Sequence, residues 1–285
     1  MHKTIILAGK NSNLGASLTK LSPAWELIER NKFDFLSPNL KVLEKLKPDN
    51  IIISAAYTNV DQAEIERDEA LKINAGTVKE IAKFAKINGT RIIYLSTDYV
   101  FNGDNTIAYT EDDNKNPINH YGYTKAKGED HIIELLDNFY IIRTSWLYSE
   151  FGTNFVKTML RLMQQTQELK IINDQVGCPT YAFNLANMII QIITKKIPSG
   201  IYHYRDQLSL SWFEFSKLIH NNLSHHLPIT ANLSLLPIAS HEYKTFATRP
   251  KFSVLNIDKI TSLDIPSIET STSLSQCISN LMSTT

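Results

Sequence analysis

The chain has 285 residues, with 29 Lys+Arg against 29 Asp+Glu and 43% hydrophobic residues. That length suits one large or two modest domains with a sizeable core, and the balance of charged and apolar residues excludes wholesale disorder. A formal net charge of zero removes any global pull toward nucleic acid or an anionic membrane, so neither is expected as a partner. The two cysteines, Cys178 and Cys277, stand far apart without a CxxC partner, which excludes a disulfide framework and a zinc ribbon. No apolar run approaches the roughly 20 residues of a membrane span, and no signal peptide is evident. The expectation is a cytoplasmic protein.

Ile5-Ile6-Leu7-Ala8 is a short, continuous apolar run, as in a parallel strand buried on both faces. Glycines and small polar residues follow to Gly15, and Ala16–Leu21 reads as a helix. Trp25–Glu29 is strand-like, and Leu40–Leu46 is helical up to Pro48. Ile51–Ala56 is a second apolar run. Helical spacing over Ala70–Ile87 closes at Gly89 as a C-cap. Arg91–Ser96 is a strand, Tyr121–Leu136 a helix and Phe139–Ser145 another strand. Beyond Trp146 the rhythm changes. Asn154–Gln164 is helical, Leu169–Ile172 strand-like and Tyr181–Lys195 helical, before a late strand at Ile201–Tyr204. An amphipathic helix at Ser211–Asn222 is capped by Ser209 or Ser211, and a Ser/Thr-rich final stretch ends in a helix. Strands alternating with helices, without a hairpin signal, predict an α/β fold with a doubly wound parallel sheet. The expected division is a cofactor half over residues 1–150 and a substrate half over 151–285, with segments crossing back.

Gly9-Lys10-Asn11-Ser12-Asn13-Leu14-Gly15 lies between the first strand and the first helix. A dinucleotide fold needs its glycines there, because the pyrophosphate meets bare N–H groups at a helix N-terminus. Ser12 stands where a GxxGxxG spacing wants glycine, and its side chain is expected to narrow the approach to the phosphates. Glu29, Arg30 and Asp34 follow near the end of the second strand. An acid there bonds ribose hydroxyls and an arginine meets a 2′-phosphate, which leaves NADH and NADPH both open.

Tyr121 and Lys125 are spaced to share one helix face. An ammonium beside the phenol is expected to lower its pKa from about 10 and ease proton exchange with an alcohol oxygen. Thr97 leaves a strand at the edge where open α/β sheets bind ligands, placing a hydroxyl near the same oxygen.

With these motifs, the strings Ala55–Asp61, Ser96–Phe101, Arg143–Tyr148, Asn154–Met159, Asn173–Thr180 and Arg249–Ser253 carry a resemblance over essentially the whole chain. It resembles the extended short-chain dehydrogenase/reductases, in the branch that reduces 4-keto groups on dTDP-linked deoxysugars. The resemblance implies a Rossmann-type doubly wound parallel sheet with a smaller C-terminal α/β substrate domain. It also implies NADPH or NADH as cofactor and a dTDP-linked 4-keto-6-deoxy sugar as substrate. The implied reaction takes dTDP-4-dehydro-6-deoxy-L-mannose to dTDP-L-rhamnose, in nucleotide-sugar and cell-surface polysaccharide biosynthesis. Ser12, Asn13 and Leu14 would meet the pyrophosphate, Asp34 and Phe35 would flank the adenine, and Ala55, Ala56 and Tyr57 would line the cofactor. Tyr121 would be the proton donor and Lys125 would bind the nicotinamide ribose. Thr97, Asp98 and Trp146 would contact the sugar, and Asn154, Gln175 and Arg249 the substrate diphosphate.

Some members of this group pair through magnesium held by glutamates near the first helix and the C-terminus. Here the helix position is Ser17, and Asn280–Thr285 carries no carboxylate side chain. No metal is therefore expected, and the chain should be a monomer or a dimer without a metal bridge. Two other readings stay open: a related reductase giving the C4 epimer or using another nucleotide sugar, and a non-catalytic NADP-binding regulator.

Overall fold

The first apolar runs become the centre of a parallel sheet. The structure, a computed structural model, describes residues 3–223 and 233–283, so Met1, His2, Thr284 and Thr285 of the terminal strings lie outside it. The first half builds β1 (Thr4–Leu7), α1 (Asn13–Leu21), β2 (Glu26–Ile28), α2 (Lys41–Leu46) and β3 (Asn50–Ile53). It continues through α3 (Val60–Ala63), α4 (Arg67–Leu71), a π-helical turn at Lys72–Gly76, α5 (Thr77–Asn88), β4 (Arg91–Thr97), α6 (His120–Leu135) and β5 (Phe139–Thr144). Next come β6 (Leu147–Tyr148), α7 (Phe155–Gln165), β7 (Glu168–Ile172), β8 (Val176–Gly177), β9 (Thr180–Tyr181), α8 (Ala182–Lys195) and β10 (Gly200–His203). The last elements are β11 (Leu210–Ser211), α9 (Trp212–Leu223), β12 (Ser234–Ile238), α10 (Asp258–Thr261) and α11 (Thr270–Ser283).

Six strands form one sheet in the order β10-β5-β4-β3-β1-β2, every neighbouring pair parallel. β1 and β3 are wholly buried because alternate residues face two helical layers. Ile5, Leu7, Ile51 and Ile53 pack with Val78, Ile81 and Ala82 of α5 and Ile132 of α6. Ile6 and Ile52 pack on the other face with Leu14 and Leu18 of α1 and Leu185, Ile189 and Ile192 of α8. The chain leaves β1 in one direction to β2 and resumes on its other side at β3. This switch opens a crevice at the strand C-termini, where such sheets take ligands.

The late strand read at Ile201–Tyr204 is β10, and it extends this main sheet beside β5. Helix α8 likewise covers a face of the sheet, so chain beyond residue 150 builds part of the first layer system. A third apolar cluster gathers α7, α9 and α11 around Phe215, Met159 and Leu274. Helix α1 starts at Asn13, earlier than read, which puts Gly15 inside the helix. Of the two cap candidates for α9, Ser211 is the one used: its Oγ accepts from the Glu214 N–H while Glu214 accepts from the Ser211 N–H.

Candidate active site

The phosphate loop is closed by Ser12. Its hydroxyl donates to the Gly9 carbonyl at 2.8 Å and accepts from the Gly15 N–H at 3.1 Å, capping α1. The side chain is therefore turned into the loop, and the expected crowding of the phosphate approach does not occur. Gly15 is required by close packing, since a Cβ there would lie 2.7 Å from the Gly9 carbonyl oxygen and 2.8 Å from the Ala8 Cβ. Glu29 accepts from the Lys10 N–H at 3.3 Å and so holds the loop. Beside the loop, a cavity of ≈ 120 Å³ is lined by Gly9, Arg30, Phe33, Asp34, Phe35, Ala55 and Ala56 among others. Arg30 and Asp34 approach at 3.5 Å on its exposed rim.

Next to it, a cavity of ≈ 320 Å³ brings together Asn13, Leu14, Ala56, Thr97, Asp98, Tyr121, Lys125 and Trp146. Two devices aim α6 at this space. Asn119 caps its first turn by accepting from the Gly122 N–H at 2.8 Å. Gly122 lies flat against the turn after β4, where a Cβ would stand 2.0 Å from the Tyr99 carbonyl oxygen. One helical turn then separates Tyr121 from Lys125.

The electrostatics differ from the expectation. Burial pushes the Tyr121 phenol up to about 12, against a lowering hydrogen bond with Thr97 and a further rise from Asp98. Lys125 does not offset this burial: its ammonium donates to the Leu95 carbonyl at 2.5 Å and sits 4.0 Å above the Tyr94 ring. Burial pulls Lys125 itself down to about 7, with Glu129 opposing. Desolvation disfavours whichever form is charged, so phenol and ammonium move in opposite directions. At the end of β4, Thr97 donates to Asp98 Oδ1 at 3.0 Å and accepts from the Tyr99 N–H at 3.2 Å. Asp98 is buried and pushed up to about 7.

Trp146 adopts a positive φ of 44° and stacks on Trp212 with ring centroids 3.5 Å apart. Gly177 packs against the same indole, at a distance no larger residue allows. Trp212 lines a neighbouring groove of ≈ 420 Å³ with Gln175, Arg249, Asp61, Phe155 and Tyr243. Arg249 is forked onto Asp61, with Nη2 donating to Oδ2 at 2.5 Å and Nη1 to Oδ1 at 3.3 Å. Asn154 does not reach this groove. It caps α7, and its amide donates to Asn13 Oδ1 at 2.9 Å and to the Ser149 and Phe151 carbonyls, leaving no donor for a diphosphate. Tyr57 is held through its backbone by Asn74, while its hydroxyl donates to Glu66 at 2.5 Å.

Asn74, Gly177, Trp212 and Ser253 carry no site role in the sequence expectations. Asn74 sits on the π-helical turn, a feature frequent at functional sites, and bonds Tyr57 and Thr124 together. Ser253 ends the Arg249–Ser253 string and donates to Asp98 at 2.5 Å. That string was the only signal available for it. Ser17 is buried and donates to the Asn13 carbonyl within its own helix. Among the described residues no helix is long and apolar enough to cross a membrane.

Known proteins are similar to this chain over most or nearly all of its length. The family described as RmlD substrate binding domain matches residues 2–283. The dTDP-4-dehydrorhamnose reductase of Aggregatibacter actinomycetemcomitans is 35% identical over 274 residues, covering 90% of this chain and 91% of that one. A dTDP-4-keto-6-deoxy-D-glucose reductase of Streptomyces niveus is 32% identical over 218 residues, covering 76% and 74%. Among solved structures, the Bacillus anthracis dTDP-4-dehydrorhamnose reductase in complex with NADP superposes with a TM-score of 0.89 at 35% identity, over 98% of this chain and 100% of that one.

Proposed function

The chain belongs to the RmlD substrate binding domain family, and from that premise we propose that it is an NAD(P)H-dependent oxidoreductase reducing dTDP-4-dehydrorhamnose to dTDP-L-rhamnose. The supporting observation is the cavity that Thr97, Asp98, Tyr121, Lys125 and Trp146 line together, next to the glycine-bearing N-terminus of α1. The relatives named for this reaction cover about nine-tenths of the chain, and the matching structure solved with NADP supports the cofactor.

The residues present fit a dinucleotide. Gly15 lets α1 start tight against β1, so that its first N–H groups are available to a pyrophosphate. Arg30 is the group for a 2′-phosphate if NADPH is used; Asp34 on the same rim suits the ribose hydroxyls of NADH. A bound nicotinamide supplies the hydride for sugar C4. Tyr121 donates its proton to the keto oxygen as negative charge develops there. The raised phenol pKa keeps that proton in place at neutral pH, as a reducing direction requires. Lys125 anchors the nicotinamide ribose, Thr97 and Asp98 border the reacting oxygen, and Trp146 gives the sugar an apolar wall. Gln175 and the Asp61-braced Arg249 are assigned to the nucleotide diphosphate of the substrate. In this reading residues 1–150 carry the cofactor and residues 151–285 most of the substrate contacts, with α8 and β10 returning to the first sheet.

The reading assigns the enzyme to the cytoplasm, supported by two free, buried cysteines. It gives the enzyme no nucleic-acid or membrane partner, and a monomeric or non-metal-bridged state because Ser17 offers no carboxylate. The 32% identical dTDP-4-keto-6-deoxy-D-glucose reductase favours one second reading, reduction of a related dTDP-linked 4-keto sugar. Incubation with NADPH or NADH and, in separate arms, dTDP-4-keto-6-deoxy-L-lyxo-hexulose and dTDP-4-keto-6-deoxy-D-glucose, followed by NMR of the product, tests both. Turnover of the D-glucose-derived keto sugar in preference to the L-lyxo sugar selects the second reading. No oxidation of NADPH or NADH with either sugar overturns both.

A further inference from the structure

We propose that Ser253 is a positioning residue for the reduction: through the Asp98 carboxyl it sets whether the Thr97 proton is held by Asp98 or offered to the reacting oxygen. The inference rests on the reductase reading given above.

Two hydrogen bonds lead from Ser253 to Thr97, which lines the same cavity as the catalytic phenol. The Ser253 hydroxyl donates to Asp98 Oδ2 at 2.5 Å, the length of a charge-assisted bond. The other carboxyl oxygen, Oδ1, accepts from Thr97 at 3.0 Å. Thr97 and Tyr121 line the same cavity. The hydroxyl of Thr97 has one proton. While Asp98 is a carboxylate that proton is committed to Oδ1, and it cannot also stabilise negative charge on a sugar oxygen. A carboxylate one hydroxyl away from that oxygen also opposes the developing charge. When Asp98 carries its own proton both obstacles disappear, so the neutral acid is the competent form.

The surroundings make this equilibrium accessible. Asp98 is 2% exposed. The titratable groups facing it are Tyr99 on its own turn, Tyr121 and Lys125 from α6 and Cys178 from the second half. Burial raises it to about 7, opposed by hydrogen bonds from the Ser253 and Thr97 side chains and from the Asp98 and Tyr99 backbone N–H groups. Ser253 is delivered by backbone contacts that do not involve its hydroxyl. The Val176 N–H donates to the Lys251 carbonyl at 2.7 Å, and the Ser253 N–H donates to the Val176 carbonyl at 2.9 Å. Pro250 lies against Gly103, where a Cβ would stand 2.5 Å from the Pro250 Cβ. Removing the hydroxyl alone therefore leaves the segment in place.

Ser253→Ala deletes a bond to the charged form, so the Asp98 pKa rises by about one to two units. The experiment is a carboxyl ¹³C titration of the full chain, with Asp98 assigned by its absence in Asp98→Asn, run beside the pH profile of kcat. The expected result is an Asp98 midpoint near 7 in the parent, shifted upward in Ser253→Ala and restored in Ser253→Thr. The alkaline limb of kcat moves in the same direction while KM for NADPH stays within about twofold. Ser253 does not touch Lys125, so a moving limb reports Asp98. An Asp98 that titrates in the ordinary carboxylate range, or a limb that stays fixed while the Asp98 midpoint moves, overturns the proposal. A protein inert toward the dTDP sugar whose Asp98 midpoint follows Ser253 refutes the reductase reading and supports the coupling.

Discussion

Replacing Gly177 by alanine should impair substrate binding without disturbing cofactor binding. A Cβ at this position would stand 2.5 Å from Cε2, 2.6 Å from Nε1 and 2.7 Å from Cζ2 of Trp146. To restore an ordinary 3.4 Å contact, the indole must retreat by about 0.9 Å. It has little freedom to do so, because it is stacked on Trp212 at 3.5 Å and hangs from a backbone at φ 44°. Forcing extra volume into such a packed site costs about 1–3 kcal/mol. Taken from the sugar complex, that is about 5- to 150-fold in affinity. The assay is the Kd of the dTDP-sugar product, measured beside the Kd of NADPH, with near-ultraviolet circular dichroism reporting the coupled indoles. Weaker product binding, an altered indole signal and an unchanged NADPH Kd are expected. A variant with parental product affinity and a perturbed indole signal would refute the role given to Trp146. An unperturbed signal would refute the packing argument itself.

Tyr121→Phe removes only a hydroxyl, so NADPH should bind within a few-fold of the parent while turnover falls by about 10²–10⁴-fold; near-normal turnover would sink the proton-donor assignment. Ser12→Ala removes the α1 cap and should destabilise the fold by about 1 kcal/mol, whereas Ser12→Gly should cost only a few tenths, as read by urea melts. His203 is buried with Nε2 3.4 Å from the Arg143 guanidinium and Nδ1 3.1 Å from the Tyr109 carbonyl, which fixes it as the neutral Nδ1–H form. Burial and then Arg143 push it from 6.5 down to about 3. Its folded pKa is lowered, so the proton is taken up on unfolding and stability is lost as pH falls from 6.5 toward about 3. His203→Gln should flatten that acid loss in urea melts across the window; an unchanged slope would contradict the assignment.

What could be read from the sequence follows from where the controlling contacts lie. β1 and β3 were legible because a strand buried on both faces must be apolar at every position, and Ile5–Ala8 and Ile51–Ile53 are. Tyr121 and Lys125 were legible because helical spacing alone puts them on one face. β6, β8, β9 and β11 are two residues each, too short for any period to show. β12 contains Pro237, which argues against a strand, yet it pairs in parallel with β7 in a two-stranded sheet.

The direction of the Tyr121 pKa illustrates the harder limit. Helical spacing correctly joins Tyr121 to Lys125 but carries no information on water. With water excluded, desolvation governs the phenol, while the neighbouring Lys125 has its own pKa lowered by burial to about 7 and donates to the Leu95 carbonyl. The same exclusion acts on Asp98, and it is relieved there by a hydroxyl 155 positions further along the chain. Asn13 and Asn154, 141 positions apart, close the phosphate loop against α7 in a similar way. Each half of the chain thus supplies the polar partners that the other half's buried groups require. A buried donor or acceptor left without its partner is costly, so the two halves are fixed in register at the active site itself. It follows that a substitution at Ser253, remote in sequence from Tyr121, should act on catalysis before it acts on the fold around it, whereas one at Asn154 also removes the cap of α7.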